Sequence, residues 1–188
     1  EKLLAIAREA SKLGIEMLVM DDGWFGNRFD DNRALGDWFV NEEKLQGGLK
    51  YLVDEVNKLG MKFGIWFEPE MISEKSDLYE AHPDWAIAIP GRPSKLGRHQ
   101  MLLDMCNPNV VNYLKDMFDG ILSRYDLDYI KWDCNRQMSE HFSNALQTLK
   151  TELADIHLDT PFSIAPSNSL HIADFFLDGV YVDLLVRD

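Results

Sequence analysis

The sequence predicts an α/β fold, a partial (β/α)8 TIM barrel with about five parallel barrel strands and an inserted β-hairpin. Short apolar runs of strand length alternate with amphipathic helical stretches, the pattern of right-handed βαβ units. Three consecutive strand-like runs end in carboxylates, as strands do when their carboxyl ends build a site. No glycine-rich phosphate loop follows any strand, which disfavours a dinucleotide-binding sheet. At 188 residues the chain is one domain, with an ample core but shorter than the roughly 250 residues of a complete barrel.

In chain order, Leu3, Leu4, Ala7, Ala10 and Leu13 mark a helix stopped at Gly14. The strand Ile15–Met20 follows and ends in Asp21-Asp22-Gly23-Trp24. Residues 27–48 form a long loop rich in Asn, Asp, Gly and Arg, and loops of that length tend to be functional. Leu49, Leu52, Val53, Val56 and Leu59 make a second helix, ended by Gly60. The strand Lys62–Phe67 runs into Glu68-Pro69-Glu70. Residues 85–90 and 101–105 bracket a polar turn and read as the inserted hairpin. Asn107 caps a helix to about Tyr125, with Val110, Leu114, Met117, Phe118 and Ile121 inward. After the strand ending at Asp133 come a helix over 139–157, a strand over 161–165, a short helical stretch over 170–177 and a last strand over 179–186.

The chain is organised around Asp128-Tyr-Ile-Lys-Trp-Asp-Cys-Asn-Arg136. Strand alternation sends Ile130 and Trp132 outward to helices, and Lys131 and Asp133 inward at the carboxyl end. Asp21, Asp22, Glu68, Glu70 and Asp133 therefore converge, beside Trp24, Trp66, Trp132 and Trp38. Carboxylates that accept hydroxyl hydrogen bonds, next to flat indole faces, suit a sugar ring. They also supply a glycosidase's nucleophile and proton donor. A divalent-metal site with Lys131 as base, and plain structural ion pairing, are the competing readings.

The formal net charge of −13 argues against nucleic acid and anionic membrane partners. Cys106 and Cys134 form no disulfide framework or metal-ligand spacing, and read as reduced thiols of a cytoplasmic protein. No apolar run has the length to span a bilayer. His82 and His99 read as exposed loop residues, and Met101, Met105 and Met117 as core. The chain opens at Glu1 inside a helical pattern, as a segment of a longer protein would.

Asp21-Asp-Gly-Trp-Phe-Gly26, Leu35-Gly-Asp-Trp38, Gly64-Ile-Trp-Phe-Glu-Pro-Glu70, His82-Pro-Asp-Trp85, Gly97-Arg98-His-Gln100 and Tyr129-Ile-Lys-Trp-Asp-Cys-Asn-Arg136 together resemble the family 36 glycoside hydrolases, the α-galactosidases. The resemblance covers about residues 1–140 and implies the middle of a (β/α)8 catalytic barrel. It implies retaining hydrolysis of terminal α-D-galactosides, with Asp133 as nucleophile and no metal or organic cofactor. It assigns Asp21 and Asp22 to the galactose O4 and O6 hydroxyls, and Trp66, Arg98, Lys131 and Asn135 to other sugar contacts. Lys131 would also keep Asp133 ionised.

Beyond residue 140 the resemblance fades. The family's Cys-Ser-Gly-Gly segment is replaced by Phe162-Ser-Ile-Ala-Pro-Ser167. The candidates for acid/base are Asp183 and Asp188, neither in the family's Thr-Ser-Asp context. Residues 141–188 thus read as grafted or redesigned βα units in the same domain. The second functional reading is a non-catalytic engineered scaffold or chimera that keeps relic sugar-site residues. Exposed barrel edges would favour a homodimer.

Overall fold

The computed structural model describes residues 1–88, 91, 96, 99–133, 149, 151, 162–165, 174–177 and 180–185, the last three runs as backbone. Helix α1 (Lys2–Lys12) buries Leu4, Ala7 and Ala10. Leu13 lies past its last turn and is 82% exposed, so the predicted stripe ends one residue early. Strand β1 (Met17–Met20) follows, then the long loop and α2 (Gly48–Lys58), which buries Leu49, Leu52, Val53 and Val56. Next come β2 (Lys62–Phe67), β3 (Met71–Ser73), the short helix α3 (Asp77–Ala81) and a 3-10 turn at Pro83–Trp85. Strand β4 (Gln100–Leu102) leads to α4 (Pro108–Leu122), which starts where Asn107 accepts the Asn109 amide. Strand β5 (Tyr129–Asp133) is followed by β6 (Phe162–Ala165), β7 (Asp174–Leu177) and β8 (Val180–Leu185).

The main sheet has the order β6-β5-β2-β1-β8-β7. The neighbours β1–β2, β2–β5 and β5–β6 are parallel, so the described residues contain a parallel α/β core. The expected fifth barrel strand is corrected, because β8 runs antiparallel to β1. Its partner β7 is itself a strand where a helical stretch was expected. The pairing Leu177↔Val180 leaves Asp178-Gly179 between the strands, and two residues permit only an antiparallel return. Strand β8 also covers the edge of β1 that the dimer expectation left open. Of the helix expected over 139–157, Leu149 and Thr151 are described, and both are helical.

The inserted hairpin exists with a different partner. Strand β4 pairs antiparallel with β3, while among the described residues the 85–90 side contributes the bridge Ala86↔Leu103 and neighbouring backbone bonds. The 3-10 turn at Pro83–Trp85 occupies the start of the predicted strand, and β3 is three buried residues without a pattern to announce it.

Alternation divides the residues of β5 as the sequence predicts. Ile130 and Trp132 are fully enclosed, and the Trp132 ring meets Phe118 of α4 with centroids 5.7 Å apart. Phe118 also meets Phe67 at 4.8 Å, which fastens α4 to the back of β2 and β5. At the top of the sheet Trp24, Phe25, Trp38, Trp66 and Phe67 form a continuous aromatic cluster. Such rings combine large apolar burial with favourable edge-to-face contacts.

The Leu35-Gly-Asp-Trp38 motif fastens the long loop to this core. Asp37 accepts the Asp77 and Leu78 amides at 3.0 Å each and so satisfies the first turn of α3. Burial pushes its carboxyl above the usual aspartate range despite those two bonds. Gly36 adopts φ +104°, and a Cβ there would stand 2.9 Å from Leu78 Cδ2, so only glycine fits. Its carbonyl accepts the Tyr113 hydroxyl of α4 at 2.9 Å.

Burial and the nearby Asp37 charge raise the Tyr113 phenol from 10.0 to about 12. The folded state therefore holds this proton after the unfolded chain has lost it. Its contribution is complete below pH 10 and falls as pH rises from 10 toward 12. Tyr113→Phe is expected to cost about 1 kcal/mol at neutral pH. Urea unfolding at rising pH should show the gap to wild type narrowing above pH 10, and a constant gap would refute this coupling.

Candidate active site

Parallel pairing fixes the site. Met20 pairs with Ile65, and Ile65 with Ile130, so Asp21, Trp66 and Lys131 follow at one level on three adjacent strands. Their side chains share one sheet face, because parallel partners point the same way. Lys131 Nζ consequently reaches over β2 to Asp21 Oδ2 at 2.7 Å. The other oxygen, Asp21 Oδ1, accepts the Asp22 amide at 2.7 Å. Both side chains are largely enclosed, where an ion pair needs good geometry to offset its desolvation.

Asp133 stands one step further along the same face of β5 and is half-buried. Its Oδ2 accepts the Trp66 indole N–H at 3.3 Å. The lysine expected to serve Asp133 is bonded to Asp21, and Trp66 holds Asp133 by its edge. Trp24 is corrected from a sugar-facing position. It is 0% exposed, and its indole N–H is taken by the Trp66 carbonyl at 2.9 Å, so it packs under the site.

Asp22 is held by a residue that sequence reasoning missed. Arg28 Nε and Nη2 bond Asp22 Oδ1 and Oδ2 at 2.9 and 2.7 Å, a bidentate fork. Burial opposes the Arg28 charge, but the bond and charge of Asp22, with Asp31 and Glu68, outweigh it and raise its pKa. Nothing in the local pattern singles out this arginine, since it lies in an irregular loop without periodicity. A buried charge balance would have been the only cue.

Behind the site, Glu70 is completely buried and accepts the Trp132 indole N–H at 2.8 Å. This bond joins the turn after β2 to the residue between Lys131 and Asp133.

The register also tests the acid/base candidates. Asp183 pairs with Val19, which is level with Gly64 and Tyr129. From Tyr129 to Asp133 is four residues, or about 13 Å along the strand at about 3.3 Å per residue. A retaining pair needs carboxyls roughly 5–5.5 Å apart. Asp183 therefore cannot partner Asp133 in this arrangement. Arg98, Asn135 and Asp188 lie outside the described residues.

The carboxyl ends of these parallel strands thus gather aspartates, a lysine and an enclosed tryptophan, the end of a βα sheet where sites are built. The chain belongs to the melibiase family, family 36 of the glycoside hydrolases, whose profile matches residues 1–159. That match passes the limit of about 140 seen by motif alone.

Alpha-galactosidase AgaA of Geobacillus stearothermophilus is 50% identical over 146 residues, 78% of this chain and 20% of the relative. The bifunctional alpha-galactosidase/sucrose kinase AgaSK of Mediterraneibacter gnavus is 51% identical over 146 residues, covering 78% of this chain and 16% of its own length. A solved AgaA variant in complex with 1-deoxygalactonojirimycin superimposes with TM-score 0.82 and 40% identity, over 86% of this chain and 25% of the other. The chain thus spans about a fifth of these curated relatives or less.

Removing the Glu70 carboxylate strands the buried Trp132 N–H. Glu70→Ala is expected to cost about 2–4 kcal/mol in denaturant unfolding. A loss below about 1 kcal/mol would show that this bond does not hold β5.

Proposed function

We propose that this chain carries the glycone-binding and nucleophile half of a retaining α-galactosidase site. The observation that carries the reading is the Asp21–Lys131 pair level with Trp66, whose indole N–H is held on Asp133. Asp133 attacks the anomeric carbon, the aglycone oxygen departs, and a covalent galactosyl ester forms on the carboxylate. Water then hydrolyses that ester, and two inversions give net retention. Asp21 and Asp22 accept galactose hydroxyls, fixed from behind by Lys131 and Arg28. Trp66 presents its indole beside the nucleophile, and Arg98 and Asn135 complete the sugar contacts. The complex of the AgaA variant with 1-deoxygalactonojirimycin supports this substrate class.

Proton donation to the leaving group is worth about 10²–10⁴-fold, so the readiest substrate is one that leaves without it. Hydrolysis of an activated aryl α-galactoside should be measurable in the wild type and fall to background in Asp133→Asn. Equal background rates in both proteins would favour the scaffold reading, in which the motifs persist without a working site. A grafted origin was expected for residues 141–188; because the family match runs to 159, it is proposed only for 160–188. Pairing with a second copy now concerns the outer strands β6 and β7, and a monomer in sedimentation at micromolar concentration disposes of it.

A further inference from the structure

We propose that Arg28 is a positioning residue of the sugar site, acting through Asp22. The inference rests on the galactoside reading above. Arg28 is 3% exposed and its guanidinium grips both Asp22 oxygens, at 2.9 and 2.7 Å. Its remaining face is fixed by the loop. Arg28 Nη1 donates to the Arg33 carbonyl at 2.9 Å, and Asp31 Oδ1 lies 3.7 Å from Nη2.

The backbone beneath is braced by Lys44. Its Nζ donates to the Gly23 carbonyl at 2.8 Å and to the Arg28 carbonyl. The turn joining Asp22 to Arg28 is thereby tied at both ends by one cation. Burial lowers the Lys44 pKa, the field of Asp22 opposes that, and the Arg28 charge adds to the lowering.

A carboxylate held by a planar fork cannot rotate about its last torsion, so its outward lone pairs keep one direction. That direction is what a carboxylate needs to select one hydroxyl geometry over its epimer. Lysine at this position would keep the charge but lose the fork, because an ammonium is a point donor. The Asp22 support is also separate from that of its neighbour, since Asp21 is oriented by Lys131 from β5. Adjacent aspartates are thus aimed by two cations from different parts of the chain.

The test compares 1-deoxygalactonojirimycin with its 4-deoxy and 6-deoxy analogues by titration calorimetry, on wild type, Arg28→Lys, Asp22→Asn and the double variant. Arg28→Lys should weaken the parent inhibitor at least tenfold. That loss should shrink to under twofold for the same deoxy analogue that erases the Asp22→Asn effect. The double variant should bind no more weakly than Asp22→Asn alone.

A purely structural arginine would weaken all three ligands alike, and that result, or additive losses, overturns the proposal while leaving the site reading intact. Absence of binding to wild type overturns both. A second measurement needs no variant to fold: the Arg28 Nε–H resonance of the wild type should move on adding the inhibitor and stay still with the analogue lacking the Asp22-bound hydroxyl. An unmoved resonance with the parent inhibitor also overturns the proposal.

Discussion

The Lys131–Asp21 bond depends on a single constraint, the parallel register of β1, β2 and β5. A one-residue slip in any of these strands would turn its side chains to the opposite face. Lys131 would then enter the aromatic layer under α4, and Trp132 would replace it above the sheet. The helix-facing residues prevent that slip. Ile130 and Trp132 fill the space against α4, so the hydrophobic packing of one face sets the chemistry of the other. Burying a lysine and an aspartate costs desolvation, which their 2.7 Å bond offsets.

The loop between β1 and α2 converts this strand geometry into a shaped rim. It is anchored by three different means: aromatic packing of Trp24, Phe25 and Trp38, the Asp37 carboxylate on α3, and the Arg28 and Lys44 cations. Backbone groups in an irregular loop need partners when buried, and here these include, beside other backbone groups, the charged side chains of Arg28 and Lys44 from the same loop. Of the residues that packing takes out of contact, Trp24 is the clearest. Its value lies in supporting Trp66, with which it shares a hydrogen bond.

The β7–β8 pair shows how the carboxyl-terminal region meets the parallel core. An antiparallel strand closes the side of β1, where a βα barrel would place another parallel strand. Its backbone satisfies the hydrogen bonds of that edge, but its register brings Asp183 level with Val19 and far from the carboxyl ends of the parallel strands. Edge coverage and catalytic placement are different demands, and this pairing answers the first.

Sequence alone determined the parallel order of the early strands, the helix faces, the inward turn of Lys131 and Asp133, and the family. Those features are local: strand period, helix period, caps and contiguous motifs are written within a few residues of one another. Tertiary structure decided what depends on distant pairing. The sequence could not say that Lys131 would bond Asp21, that Arg28 would hold Asp22, or that Trp24 would be sealed beneath Trp66. Nor could it show that β4 would choose β3 as its partner. The stretch over 170–177 read as helical and instead holds β7, which forms an antiparallel hairpin with β8. The edge that this hairpin covers is a long-range choice, made by the exposed backbone of β1 and by no pattern within the hairpin itself.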